Sequence, residues 1–251
     1  MTAYIHSFES LAAVDGDGVR FAVFFSGCPL RCVYCHNPDT WKRGGEEYTA
    51  ERLVKKISRY KPYFKTHGGV TFTGGEPMLW AAFIAECVPL LREAGIPYVI
   101  DTSGAVSLSE NEKYVLRNAQ RVLLDLKFPT DEEYIKYTGV GIENSLKTLS
   151  FLDESSVPTT VKTVVVPGIN DSEEKIGEYL SHLKGVRCVD AYELLPFHTM
   201  GFFKYELLGI ENPLASTPAL PKEKCLAFQR IIDEYINIKG EGYESADRKK
   251  N

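Results

Sequence analysis

The chain alternates between short, dense apolar runs and longer stretches whose apolar residues recur every three or four positions. "VRFAVFF" (19–25), "GVTFTG" (69–74), "YVIDT" (98–102), "RVLLDLK" (121–127), "TTVKTVVVPG" (159–168) and "CVDAYELLP" (188–196) are rich in β-branched and aromatic residues. Runs of that length and kind predict strands. Between them the spacing predicts helices over 49–60, 78–95, 109–119, 131–139, 143–155, 172–185 and 221–236. Thr49 is placed to cap the first of these, and Gly95 lies just past the end of the second. Pro89 falls inside 78–95 and is expected to kink or split it.

Strands alternating with helices predict βαβ units and a parallel sheet, the α/β class. Six such units are too few for a closed eight-unit barrel. A partial, splayed (β/α)6 barrel and an open doubly wound sheet both fit. No linker, low-complexity tract or short-period repeat interrupts the pattern, so a single domain over 1–251 is expected. The stretch 198–221 is irregular, with proline and glycine, and is expected to form a surface loop or lid.

Composition adds constraints rather than a function. Hydrophobic residues make up 44% and charged residues 25%, ordinary values for a globular protein. With 29 basic and 34 acidic residues the net charge is −5, which argues against a nucleic-acid or membrane-surface partner. No apolar run approaches the roughly 20 residues of a membrane span. The start, "MTAYIHSFES", lacks the layout of a secretory signal, so a cytoplasmic location is expected. Thiols stay reduced there, and clustered cysteines read as metal or redox ligands.

Such a cluster occurs in "SGCPLRCVYCHNPDTW" (26–41). Cys28, Cys32 and Cys35 fall in the pattern C-x3-C-x2-C, on a loop following a predicted strand. Three readings compete. One is structural zinc, with His36 or a distant cysteine as fourth ligand. Such sites usually carry paired cysteine hooks, and no second pair exists here. Another is a reactive thiol group. The third is a [4Fe–4S] cluster with one iron left open. Cys87, Cys188 and Cys225 are scattered and read as small core or surface residues.

With aromatic Tyr34 directly before Cys35, the loop resembles the signature of the radical S-adenosylmethionine (SAM) superfamily. "VDGDGVR" (14–20), "GCPLRCVYCHNPDTW" (27–41), "TFTGGEPML" (71–79), "VIDTSG" (99–104), "LLDLK" (123–127), "VVVPGIND" (164–171) and "ELLPFHTMG" (193–201) follow the order seen in the glycyl-radical enzyme activases that act on pyruvate formate-lyase. The resemblance implies a radical SAM barrel and a [4Fe–4S] cluster on Cys28, Cys32 and Cys35, the catalytic centre. SAM would bind the open iron and yield a 5′-deoxyadenosyl radical that takes a hydrogen from a glycine of pyruvate formate-lyase. The implied partners are that enzyme's glycine-radical loop and a flavodoxin- or ferredoxin-type reductant. A monomer is expected. Relatives that act on other glycyl-radical enzymes often carry a cysteine-rich insert after the first motif. This chain runs from "HNPDTWKRGG" directly to its first predicted helix.

The resemblance also assigns roles to single residues. In "TGGEP" (73–77), otherwise a tight strand-to-helix turn, Gly74, Gly75 and Glu76 would receive the SAM amino group. Asp101 and Asp125 each end an apolar strand, and two carboxylates facing one site repel unless a cation or a shared proton intervenes. A monovalent cation near the SAM carboxylate, held by Asp101, Thr102 and Asp125, is implied. Lys127 would pair with that carboxylate or with the acids, a plain salt bridge being the alternative. His198 would contact SAM; on its own it reads as a structural strand-end histidine. Tyr34, His36 and Asn37 would contact the cluster sulfurs or SAM, and Asp15 the target backbone. Two positions depart from the family pattern: Asp17 stands where proline is usual, and Lys162 where a well-known member has arginine.

Overall fold

Each of the six apolar runs forms a strand, and two more strands extend the sheet at one edge. The computed structural model describes residues 1–12 and 16–247; Asp15 lies outside the described residues. The chain opens with β1 (Thr2–Ala12), which pairs antiparallel with β2 (Arg20–Phe25) on one side and β3 (Glu46–Thr49) on the other. From β2 the sheet continues in parallel through β4 (Gly69–Gly74), β5 (Tyr98–Thr102), β6 (Arg121–Asp125), β7 (Thr159–Val165) and β8 (Val189–Pro196). The full order is β3-β1-β2-β4-β5-β6-β7-β8. Neither end pairs with the other, so the six parallel strands form an open (β/α) sheet of the expected partial-barrel kind.

The connecting helices follow from caps and apolar stripes. α1 (Ala50–Ser58) starts at Thr49, whose hydroxyl accepts from Arg52 N, and buries Leu53, Val54 and Ile57. α2 (Lys61–Phe64) is a single turn. α3 (Ala81–Glu93) runs unbroken through Pro89, contrary to the expected split. Pro89 is exposed and Ala85, one turn earlier, half-buried. The carbonyl that the proline leaves without its helical donor therefore lies on the side water can reach. α4 (Glu110–Arg117) opens with a capping box between Ser109 and Glu112. α5 (Asp131–Thr138) ends on Gly139 at φ 83°, a left-handed stop. α6 (Glu143–Glu154), α7 (Glu173–Ser181) and α9 (Lys222–Asp247) complete the predicted set.

Two differences from the sequence reading matter for the site. β1 and β3 carry few buried side chains: β3 is the edge strand and covers only Thr2–Ile5 of β1, and both present polar residues outward. Segment 198–221 is not wholly irregular: it contains α8 (Phe203–Leu208). Inside the sheet, Phe21, Phe25, Phe72 and Phe83 are fully buried, with the Phe25 and Phe72 rings 5.8 Å apart. This core holds the carboxyl ends of β2, β4, β5 and β6 in fixed register.

Candidate active site

A cavity of about 340 Å³ opens at the carboxyl ends of the parallel strands, where α/β folds carry their chemistry. Cys28, Cys32 and Cys35 line it together with Tyr34, His36, Asn37, Gly74, Gly75, Asp101, Asp125 and Lys127. The sequence motifs, up to 99 positions apart, thus meet at one place. Glu76, Thr102 and His198 stand behind this wall rather than in it.

The cysteine loop leaves β2 and is pinned on three sides by backbone hydrogen bonds. Gly27 N donates to Thr40 O at 2.7 Å, Glu76 N to Gly27 O at 2.9 Å and Arg31 N to Thr138 O at 2.7 Å. Burial pushes the Cys28 and Cys32 thiols up to about 12, with the nearby Glu76 charge adding to the effect at Cys28. Burial raises Cys35 as well. Thiols in such surroundings ionise only when a metal charge compensates.

The glycine turn approaches this loop as closely as backbones can. Gly74 adopts φ 116°, and a Cβ there would lie 2.4 Å from Phe25 N. A Cβ on Gly75 would lie 2.3 Å from Gly27 O. Only glycine fits either place. The Glu76 side chain is fully buried and turned away from the cavity. It accepts from Met78 N at 3.0 Å, Thr102 Oγ1 at 2.5 Å, and both the N–H and the hydroxyl of Ser103. Burial raises its pKa, and the four hydrogen bonds oppose that. Its geometry is that of a tie between the ends of β4 and β5, leaving the turn's backbone, not this carboxylate, on the cavity side.

The acids and lysines form one cluster on the cavity wall, with Lys162 buried and Asp101, Asp125 and Lys127 half-buried. Asp125 Oδ2 is 2.6 Å from Lys127 Nζ, and Asp125 Oδ1 is 4.0 Å from Lys162 Nζ. Lys162 Nζ is 2.6 Å from Asp101 Oδ1, an ion pair without hydrogen-bond alignment, while Thr73 Oγ1 donates to Asp101 Oδ2 at 2.9 Å. Burial works against the charge on Asp125, yet Lys127 and Lys162 together hold its carboxyl below the ordinary range. Burial likewise opposes Lys127, but Asp125 keeps it well above the usual lysine value. Lys162 is the residue that sequence reasoning underrated, noting it only as a departure. A lone charge in "TTVKTVVV", otherwise apolar or hydroxylic, was the available signal.

Behind the cysteines, His36 and His198 stack with ring centroids 3.8 Å apart, and His36 Nε2 donates to His198 O at 2.9 Å. Burial lowers the His36 pKa, and its histidine neighbour adds to this. His198 Nδ1 and the Tyr34 hydroxyl are buried without a hydrogen-bond partner. α8 straps this corner down. Tyr205 OH donates to Cys35 O at 2.9 Å, and Lys204 Nζ reaches Asn37 Oδ1 at 2.8 Å and Asp39 Oδ2 at 3.0 Å. A Cβ on Gly201 would lie 2.7 Å from His36 O. Nothing in the sequence marked these four contacts, since each joins residues more than 160 positions apart. Two positions after Asp15 in sequence, Asp17 Oδ2 is 3.7 Å from Arg121 Nε, and Arg20 is buried against Thr71 and Val70 O. Asp17 and Arg20 sit at the amino ends of the strands, opposite the cysteine loop.

The comparisons with known proteins agree with this arrangement. The family model of the Radical SAM superfamily matches residues 22–180, which span β2 through most of α7. An open (β/α) sheet with a three-cysteine loop after its first parallel strand is the site of that class, and the chain is a radical SAM protein. The pyruvate formate-lyase-activating enzyme of Clostridium pasteurianum is 42% identical over 92% of this chain and 98% of its own. That of Staphylococcus aureus (strain USA300) is 35% identical, covering 96% and 97%. The chain belongs to the family of pyruvate formate-lyase-activating enzymes. Among solved structures, a domain of such an enzyme from Bacteroides vulgatus superposes with a TM-score of 0.55 at 24% identity, covering 67% of this chain and 94% of that one. Streptococcus suis SuiB bound to S-adenosylmethionine gives 0.63 at 16%, covering 84% and 46%; both show the fold alone.

Membership implies a [4Fe–4S] cluster and SAM, and the residues present fit both. Among the described residues no three His, Cys, Asp or Glu side chains converge tightly enough for a single metal ion, the three cysteines included. A cuboidal cluster spreads its thiolates more widely than zinc does. His36, the candidate fourth zinc ligand, has its Nε2 engaged by a carbonyl. For SAM there are a backbone cradle without Cβ atoms, ammonium groups beside the cavity, the unpartnered buried Tyr34 hydroxyl on its wall, and a volume within the range of small-molecule sites.

Proposed function

We infer that this protein activates pyruvate formate-lyase by generating the glycyl radical of that enzyme. The observation that carries the reading is the meeting of Cys28, Cys32 and Cys35, the Gly74–Gly75 turn and the Asp–Lys cluster around one cavity. When bound, the cluster and SAM supply a 5′-deoxyadenosyl radical; the chain supplies binding, orientation and exclusion of water. Cys28, Cys32 and Cys35 would hold the cluster. The backbone of Gly74 and Gly75 would accept from the SAM ammonium. Lys127 would face the SAM carboxylate, and the Tyr34 hydroxyl, His36 and Asn37 would border the cluster and the methionine. His198 acts through His36, with its free Nδ1 left for a ligand or water. A contact of Asp15 with the target backbone rests on the resemblance alone: Asp15 lies outside the described residues, and its sequence neighbours Asp17 and Arg20 sit at the strand ends opposite the cysteine loop.

No side chain has to act as acid or base. The target glycine must instead come within contact distance of the adenosyl carbon, so the partner's glycine loop enters through the open side of the sheet, between the edges formed by β8 and β3. A flavodoxin- or ferredoxin-type protein supplies the electron. The chain works as a single-domain monomer in the cytoplasm, and no helix among the described residues is long and apolar enough to cross a membrane. A monovalent cation held by Asp101, Thr102 and Asp125 was the remaining implication of the resemblance; the lysine contacts of both acids favour a protein ammonium in its place. Reconstitution with iron and sulfide, reduction, and incubation with SAM and a glycine-loop peptide of the partner tests the function. The expected product is 5′-deoxyadenosine, formed together with methionine. A reconstituted, reduced cluster that yields none contradicts the reading.

A further inference from the structure

Two carboxylates side by side demand positive charge, and here the protein already provides it. Asp101 lies on β5 and Asp125 on β6, with Lys162 facing them from β7. In the sheet register Lys162 stands directly across from Asp125. Its ammonium reaches over β6 to Asp101 Oδ1, 2.6 Å away, and remains 4.0 Å from Asp125 Oδ1. Lys127 closes the other side at 2.6 Å from Asp125 Oδ2. Two acids thus face two ammonium groups, and the cluster is neutral without any ion from solution.

Two of the oxygens expected to ligate a metal already have other partners. Thr102 Oγ1 donates to Glu76 Oε1 at 2.5 Å and accepts from Gly104 N at 3.0 Å. The remaining oxygen of Asp101 accepts from Thr73. A metal ion between the acids would occupy the place of the Lys162 ammonium, since a nitrogen 2.6 Å from a carboxylate oxygen leaves no room for an intervening ion.

We propose that Lys162 is the built-in counter-ion of the SAM site, so that this enzyme binds SAM without a monovalent metal ion. The proposal rests on the assignment of the cavity to SAM. Lys162 acts as a positioning residue: it holds the Asp101 and Asp125 side chains in place while Lys127 and the turn backbone meet the ligand. Replacing it with an uncharged side chain leaves two acids against one lysine in a buried setting. That imbalance opposes arrival of the SAM carboxylate and draws in a cation.

The test measures SAM affinity of the cluster-reconstituted protein by calorimetry in potassium, sodium and tetramethylammonium chloride at equal ionic strength. The wild type is expected to hold one Kd within about twofold across all three salts. Lys162→Met should bind SAM at least tenfold more weakly in tetramethylammonium and recover severalfold with potassium or sodium. Lys162→Arg, which keeps the charge, should stay indifferent to the salt. Thermal melts of each protein report folding, and the wild-type and Lys162→Arg measurements stand alone if Lys162→Met does not fold. A wild type that loses tenfold or more in tetramethylammonium overturns the proposal, as does a folded Lys162→Met that matches the wild type in every salt. A reconstituted wild type that binds SAM in none of them overturns the assignment of the cavity, and the proposal with it.

Discussion

Asp125 and Lys127 show how the site's charges depend on one another. They touch at 2.6 Å in a buried setting, so removing one member strands the other. Breaking such a pair typically costs about 3–5 kcal/mol. Lys162, at 4.0 Å, softens that loss. Lys127→Met is therefore expected to lower unfolding stability by roughly 2–4 kcal/mol in urea titrations at neutral pH without SAM. The pH dependence follows from the directions of the shifts. The Asp125 carboxyl is held below its unfolded value, so its contribution is complete above that value and disappears as pH falls through the folded one. Lys127 is held above its unfolded value, so its contribution is complete below that value and disappears as pH rises through the folded one. The stability difference between wild type and Asp125→Asn should be flat from about pH 6 to 9 and shrink below about pH 4. A difference that grows on acidification would contradict the pairing. At the cluster, Cys28→Ala, Cys32→Ala and Cys35→Ala should each abolish the iron–sulfur absorbance after reconstitution. Full iron content in any one of them would require a ligand other than these three.

Turns and straps decide whether the motifs meet. The "TGGEP" turn works because two glycines let β4 run against the cysteine loop. Gly75→Ala forces a Cβ into the Gly27 carbonyl, and neither backbone can yield cheaply. It should cost roughly 1–3 kcal/mol of stability, and because the loop moves with Gly27, iron content after reconstitution should fall as well. The strap from α8 is milder. Combined Lys204→Met and Tyr205→Phe removes the bonds to Asn37, Asp39 and Cys35 O, with an expected stability loss of about 1–2 kcal/mol. Hydrogen exchange at residues 35–41 should accelerate while the core strands stay protected. β2 and β4 to β7 were legible in the sequence because both of their faces are largely buried, which writes continuous apolar runs; β8, the edge strand with Asp190, Ala191 and Glu193 exposed, was legible from its apolar residues alone. The three cysteines and the glycine turn were legible because each is a contiguous motif. β1, β3 and α8 were not, since mostly exposed strands and short surface helices bury too little to leave a period. Nor was the pairing of Lys162 with Asp101, because a contact across two strands depends on register, and composition does not carry register.

At the scale of the molecule, an unclosed sheet serves a reaction whose substrate is another protein. A closed barrel would offer a small molecule a mouth but would exclude a peptide loop. Here the gap between β8 and β3 leaves the cavity at the strand ends open to one side. The account stands or falls on whether the radical reaches the partner. The direct measurement is an electron paramagnetic resonance spectrum of pyruvate formate-lyase after anaerobic incubation with the reduced, reconstituted protein and SAM. The account predicts a glycyl doublet that appears only when protein and SAM are both present and is absent with Cys32→Ala. A partner that stays silent while the same mixture cleaves SAM to 5′-deoxyadenosine would contradict it.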